Sequence, residues 1–184
     1  MGAFPSMNDT FVVVVDIQER LHAAMDPGMQ NEYVRNAVIL VEAATKLGLP
    51  LVVTEQYPRG LGPTIVEIGR AIEGVPRMEK TAFSCMREQS VRDRIVSTGR
   101  RTAVIAGIEA HVCVMQTALD MLDAGMTPIV AADAVCSRRM RDASTALDAV
   151  ARLGVLVYPS ESIVFMLLER AATPEFKALS PLFK

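Results

Sequence analysis

The sequence predicts an α/β fold: a three-layer, doubly wound, Rossmann-like parallel sheet of six strands in the order 3-2-1-4-5-6, built as a single domain over residues 1–184. Three observations predict it. Short apolar runs, most of them rich in β-branched residues, recur along the chain. Segments with apolar residues at helical spacing separate them, as βαβ units with right-handed crossovers require. The first run, FVVVV, shows no alternation, so both of its faces are buried, as in parallel sheets.

The elements follow in order. Residues 1–9 read as a frayed or edge-lying start. Phe11–Val15 is the first strand and ends at Asp16. Asn31–Leu47 has helical spacing (Val34, Val38, Val41, Ala44), with Gly48 suited to the position after a helix. Pro50–Thr54 is the second strand, followed by a loop over Glu55–Pro63. Thr64–Ile72 is a short helix or turn, Met78–Lys80 the third strand and Glu88–Ser97 a helix. Thr102–Gly107 is the fourth strand, and a helix starts at about His111. Thr127–Ala131 is the fifth strand and Arg141–Leu153 a helix closed by Gly154. Val155–Tyr158 is the sixth strand, and a helix runs from Ser160 to Glu169. The tail, Pro174–Lys184, reads as a short docking helix and an extended end.

With 184 residues and 51% hydrophobic content the chain can fill a two-sided core, which argues against disorder. A net charge of −2 offers no electrostatic footprint for nucleic acid or an anionic membrane. There is no apolar run of transmembrane length and no signal-peptide pattern, so neither a membrane nor a secretory route is expected. The 3 widely spaced cysteines fit neither a disulfide framework nor a zinc pattern, and point to a reducing cytoplasm. Met1-Gly2 with Ser6 matches the short myristoylation pattern, which is often met by chance.

In a doubly wound sheet, ligands bind at the carboxyl ends of the strands, where the strand order reverses. The first and fourth strands are neighbours at that point. Asp16 ends the first, Cys113 lies just after the fourth, and Lys80 ends the third on the same edge. A cysteine in the first turn of a helix faces unpartnered N–H groups and the positive end of the dipole, which favour a thiolate. Taken alone, Cys113 is equally a small core residue. Convergence with an acid and an amine from distant parts of the chain favours a reactive centre. Asp16 could take the thiol proton, and Lys80 could lower the pKa of both groups by its charge. Such a set needs no histidine. His22 reads as a surface residue. His111 lies close to Cys113 in sequence, but two residues apart at a helix start they point in different directions.

The run GIEAHVCVMQTALD, with VVVVDIQERL upstream and EKTAFS between, resembles the isochorismatase-like cysteine hydrolases. TEQYPRGLG, DAVCSRR and PSESIVF make it most similar to the isochorismatase-domain-containing branch, and the likeness runs from about Phe11 to the tail. The resemblance implies an Asp–Lys–Cys triad falling on Asp16, Lys80 and Cys113. It implies a cis peptide, not before proline, at Ile108–Glu109. It implies an oxyanion hole from the backbone N–H groups of Glu109 and Cys113. The chemistry it implies is attack of Cys113 on a small amide or related C–N bond, through an acyl-enzyme. It also implies a homo-oligomer, a dimer or tetramer.

The chain departs from parts of that family. Nicotinamidases of the family carry a metal on an Asp-x-His pair and a further histidine after the second strand. Here that segment, TEQYPRGLG, has no histidine, so no metal and no cofactor are expected. Isochorismatases proper often lack the cysteine and cleave a vinyl ether with the aspartate as acid; Cys113 favours covalent chemistry instead. Gln18, Tyr57 and Phe83 fall beside the substrate by their place in the motifs. Tyr57 and Phe83 form either apolar pocket walls or ordinary packing. The Glu109 side chain can pair with a nearby base. Arg138, Arg139 and Arg141 form a basic cluster, either attracting an anion or pairing with Asp133 and Asp142. Cys85 and Cys136 read as bystanders, with a redox role open for Cys85. Two other functions therefore stand beside the hydrolase: a non-catalytic small-molecule-binding or interaction protein, and a redox-responsive thiol protein.

Overall fold

The first strand, β1 (Thr10–Val15), is buried along its whole length because its two faces meet different layers. Val12 and Val14 belong to one hydrophobic cluster, and Phe11, Val13 and Val15 to another. A strand serving two cores has no polar face, which explains the unbroken FVVVV. The computed structural model describes residues 4–184. The Met1-Gly2 part of the myristoylation pattern lies outside the described residues.

The remaining strands are β2 (Leu51–Gln56), β3 (Arg77–Lys80), β4 (Thr102–Ile108), β5 (Thr127–Cys136) and β6 (Leu156–Tyr158). All pairings are parallel, and the order is β3-β2-β1-β4-β5-β6, as the sequence predicts. The helices are α1 (Glu19–Ala23), α2 (Gln30–Lys46), α3 (Pro58–Leu61), α4 (Val66–Ala71), α5 (Gln89–Ser97), α6 (Met115–Asp123), α7 (Met140–Arg152), α8 (Ser160–Leu168) and α9 (Pro174–Leu179). Helices α2, α4, α8 and α9 contribute to the cluster of Val12 and Val14. Helices α5, α6 and α7 contribute to that of Phe11 and Val13. The result is a helix–sheet–helix sandwich, the three layers that the alternation of elements predicts.

Four local features differ from the predicted elements, the first being the end of the tail, which closes in a 3₁₀ helix (Ser180–Phe183) where an extended end is predicted. Helix α3 falls in the stretch read as loop, and α1 in one to which no element is assigned, both being too short to show a periodicity. Strand β5 continues to Cys136, past the predicted end at Ala131. The polar Asp133 does not end it, because its carboxylate is used to cap α8. One oxygen accepts from the Ser160 N–H (2.7 Å), the other from the Ser160 hydroxyl (2.9 Å). Finally, a single π-helical turn, Ala110–Val114, separates β4 from α6.

Close approach of β1 and β4 sets the geometry of the edge. Gly107 has φ +135, and a Cβ there would lie 2.1 Å from the Val15 carbonyl oxygen. Only glycine fits a backbone passing this near. We expect Gly107→Ala to cost about 3 kcal/mol or more, by strain and by separation of the two strands. Urea denaturation of the variant beside wild type measures that loss.

Candidate functional site

Asp16 follows the last residue of β1 in the left-handed region (φ 52), a conformation Asp tolerates better than most residues. It is fully buried. Its two carboxylate oxygens are divided between two donors. The Thr54 hydroxyl at the end of β2 donates to Oδ1 (2.7 Å), and Lys80 Nζ donates to Oδ2 (2.6 Å). Lys80 reaches Asp16 from β3, across β2, which lies between them. The ammonium also donates to Gln56 Oε1 (2.6 Å) and to the carbonyls of Phe83 (3.0 Å) and Ala82 (3.2 Å).

Cys113 lies in the π turn after β4 and is 5% exposed. It follows β4, the strand paired with β1, so its thiol lies within electrostatic reach of both Asp16 and Lys80. The three residues brought forward from sequence thus meet at one carboxyl edge. Their electrostatics differ from the expectation in one respect. Burial first, and the Asp16 charge second, push the Cys113 thiol well above its ordinary value, and Lys80 only partly opposes them. The expected lowering fails because Cys113 sits in the π turn, one turn ahead of α6, and against an anion. Burial likewise raises Asp16, against the lowering pull of Lys80 and Thr54. For Lys80, burial works downward, but Asp16 and the neighbouring thiols outweigh it and the net direction is up. The resting centre is therefore a thiol beside an aspartate–ammonium pair.

The Ile108–Glu109 peptide is cis. The Glu109 carbonyl accepts from the N–H groups of Val112 (3.1 Å) and Val114 (3.2 Å), passing over that of Cys113 between them. The Glu109 carboxylate accepts from Arg138 Nε (2.9 Å) and from the Arg138 N–H (3.2 Å), tying the turn to the start of α7. Within the basic cluster Arg139 lies 3.9 Å from Asp142, whereas Asp133 is occupied by Ser160 and pairs with no arginine among the described residues.

Gln18 is buried and both of its polar atoms are engaged by backbone. Oε1 accepts from the Gln56 N–H (2.7 Å), and Nε2 donates to the carbonyls of Gly62 (2.7 Å) and Gln56 (3.1 Å). Tyr57 and Phe83 are 56% and 54% exposed, so neither is core. Tyr57 borders a cavity of ≈ 280 Å³ together with Arg59, Lys80 and Glu88. A larger cavity of ≈ 490 Å³, lined by His22, Arg35, Val38 and Glu67, lies against the α2–α4 layer, away from Cys113. His111 pairs with Ser137 (Nδ1 to Oγ, 2.9 Å) and His22 with the Tyr33 hydroxyl (2.5 Å). No group of three or more His, Cys, Asp or Glu side chains among the described residues is arranged to hold a metal ion.

Thr54 and Gln56 escaped the sequence reading, although each touches the centre. The available signal was their position: polar residues closing a strand that otherwise reads LVV, on the edge where ligands bind.

Residues 10–162 match the family model described as the isochorismatase domain. The chain belongs to the isochorismatase family. Isochorismatase domain-containing protein 2 of Danio rerio is 36% identical over 178 residues, covering 96% of this chain and 88% of that protein. The structure of MAR1 ribonuclease from Caenorhabditis elegans shares the fold with a TM-score of 0.89 at 32% identity, covering 97% of this chain and 91% of that one. The YcaC gene product of Escherichia coli, described as an octameric hydrolase of unknown specificity, gives a TM-score of 0.90 at 21% identity over 100% of this chain and 90% of that one. At that identity the likeness is one of fold. Membership of the isochorismatase family supports a hydrolytic function for this chain, and no helix among the described residues is long and apolar enough to cross a membrane.

Proposed function

We propose that this protein is a metal-independent cysteine hydrolase that cleaves a small amide or related C–N bond through a Cys113 acyl intermediate. The observation that supports it most is the buried Asp16–Lys80 pair, 2.6 Å apart, on the carboxyl edge where Cys113 follows β4 directly beside β1. The absence of histidine from TEQYPRGLG supports operation without a metal.

The chemistry follows from the resting thiol. Because Cys113 holds its proton, attack and deprotonation occur together: sulfur bonds to the carbonyl carbon as Asp16 takes the proton. Burial keeps Asp16 basic enough for this, and Lys80 keeps it in place. The N–H groups of Glu109 and Cys113 receive the developing oxyanion. As the tetrahedral intermediate collapses, Asp16 returns the proton to the leaving nitrogen. Water, deprotonated by Asp16, then attacks the thioester, and the proton goes back to the departing sulfur. Tyr57 and Phe83 supply the outer walls, and Gln18 holds the loop that carries Tyr57.

The same reading takes residues 1–184 as one hydrolase domain of a homo-oligomer in a reducing cytoplasm, without nucleic-acid or membrane partners. Three free cysteines and the octameric state of YcaC support it. A redox role for Cys85 is not favoured: it is fully buried, and burial pushes its thiol up to about 11. The name of the MAR1 structure raises phosphodiester cleavage as a competitor, which the net charge of −2 disfavours. The test is a panel of small amides, with single-stranded RNA in parallel, analysed by intact mass after acid quench. The expected result is an acyl adduct on Cys113 with at least one amide and no RNA cleavage. RNA cleavage with no adduct from any amide would overturn the proposal.

A further inference from the structure

Lys80 presents an unusual count of partners. An ammonium has three N–H donors. Here four acceptors surround it: Asp16 Oδ2 and Gln56 Oε1, each at 2.6 Å, and the carbonyls of Phe83 (3.0 Å) and Ala82 (3.2 Å). The two short contacts take one proton each, and the two carbonyls share the third. No proton is left for a substrate, so Lys80 acts as a fixed positive charge and not as an acid.

Gln56 is the neutral member of this cage, and its own geometry is fixed on every side. Its Nε2 donates to the Thr81 carbonyl (2.8 Å), which turns Oε1 toward the ammonium. Its backbone N–H and carbonyl are both held by the Gln18 side chain. In the sheet it sits directly opposite Lys80. A buried run of hydrogen bonds therefore leads from Gln18 through Gln56 and Lys80 to Asp16. We propose that Gln56 is a positioning residue: its side-chain carbonyl fixes the Lys80 ammonium against Asp16, and so sets how readily Asp16 accepts the proton of Cys113. This rests on the reading of Cys113 as nucleophile and Asp16 as its base.

The experiment measures iodoacetamide alkylation of Cys113, followed at the Cys113 peptide by mass spectrometry, as a function of pH. Thiolate is the species that reacts, so the wild-type rate climbs as pH rises. Gln56→Glu keeps an acceptor in place but puts a second carboxylate on the ammonium. Its charge offsets that of Lys80, the thiol holds its proton more tightly, and the curve moves about one pH unit or more upward. Gln56→Met keeps the bulk and removes the acceptor. The ammonium is released from its place, and at a fixed pH below the plateau the rate falls about tenfold. A residue with only a structural role would lower the melting temperature and leave the Gln56→Met curve on that of wild type, which would overturn the proposal; Gln56→Glu shows that charge at this position reaches the thiol.

Should neither variant fold, wild-type protein carrying ¹⁵N-lysine decides. One ammonium resonance, missing from Lys80→Arg, is expected to exchange slowly with water. An exchange rate like that of surface lysines would refute the cage. The two levels separate cleanly: turnover surviving in Cys113→Ala would end the nucleophile reading itself, whereas an unchanged Gln56→Met curve would remove only the role of Gln56.

Discussion

Cys113→Ala abolishes turnover of any amide that acylates the wild type, by about 10⁴-fold or more, because the covalent route has no substitute nucleophile. The fold is expected to survive. The side chain is small and 5% exposed, so truncation costs no more than about 2 kcal/mol. Thermal melting beside a steady-state assay separates the two effects. A loss of activity matched by a loss of folded protein would leave the nucleophile unassigned to Cys113; a folded, inactive variant is the predicted outcome. Cys85→Ala is the control. Its thiol is fully buried and pushed up to about 11, so this variant is expected to keep its turnover.

The second large effect concerns the Asp16–Lys80 pair, whose side chains are both 0% exposed. Lys80→Met leaves a carboxylate buried without its cation, with only Thr54 still donating to it. Asp16→Asn leaves the ammonium buried without its anion. Each is expected to destabilise the protein by about 3–5 kcal/mol, the usual result of removing one partner of a buried pair. The double variant, with an amide and a thioether in place of two charges, is expected to recover most of that stability and none of the activity. Denaturation midpoints of the four proteins give the coupling. If the double variant were as unstable as the sum of the singles, the two charges would not be coupled, and the pair could not be what holds Asp16 in place.

The layered fold was legible because its physics is local and repetitive. FVVVV can lie only in a strand covered on both sides, and helical spacing between such runs leaves few topologies. Asp16, Lys80 and Cys113 were legible by position, at strand ends on one edge. What escaped was whatever depends on side chains meeting across strands. Nothing local in PLVVTEQ tells that Thr54 turns to one carboxylate oxygen while Gln56 turns to the ammonium serving the other. Gln18 was placed near the substrate by its motif, yet its amide is spent on the backbone of Gln56 and Gly62. The direction of the Cys113 pKa was also beyond reach. It depends on burial and on an anion from another strand, and these outweigh the backbone dipole that the sequence suggests.

Lys80 lies on β3, the outermost strand on its side of the sheet and only four residues long. A margin of this kind exposes unused amide and carbonyl groups that a foreign strand can zip onto. Here the margin is pinned inward by a charged tether crossing β2 to reach Asp16. Peeling β3 away would drag a bare ammonium and a bare carboxylate apart in the interior. The buried Asp16–Lys80 contact therefore also guards this margin against strand-to-strand pairing with a foreign chain.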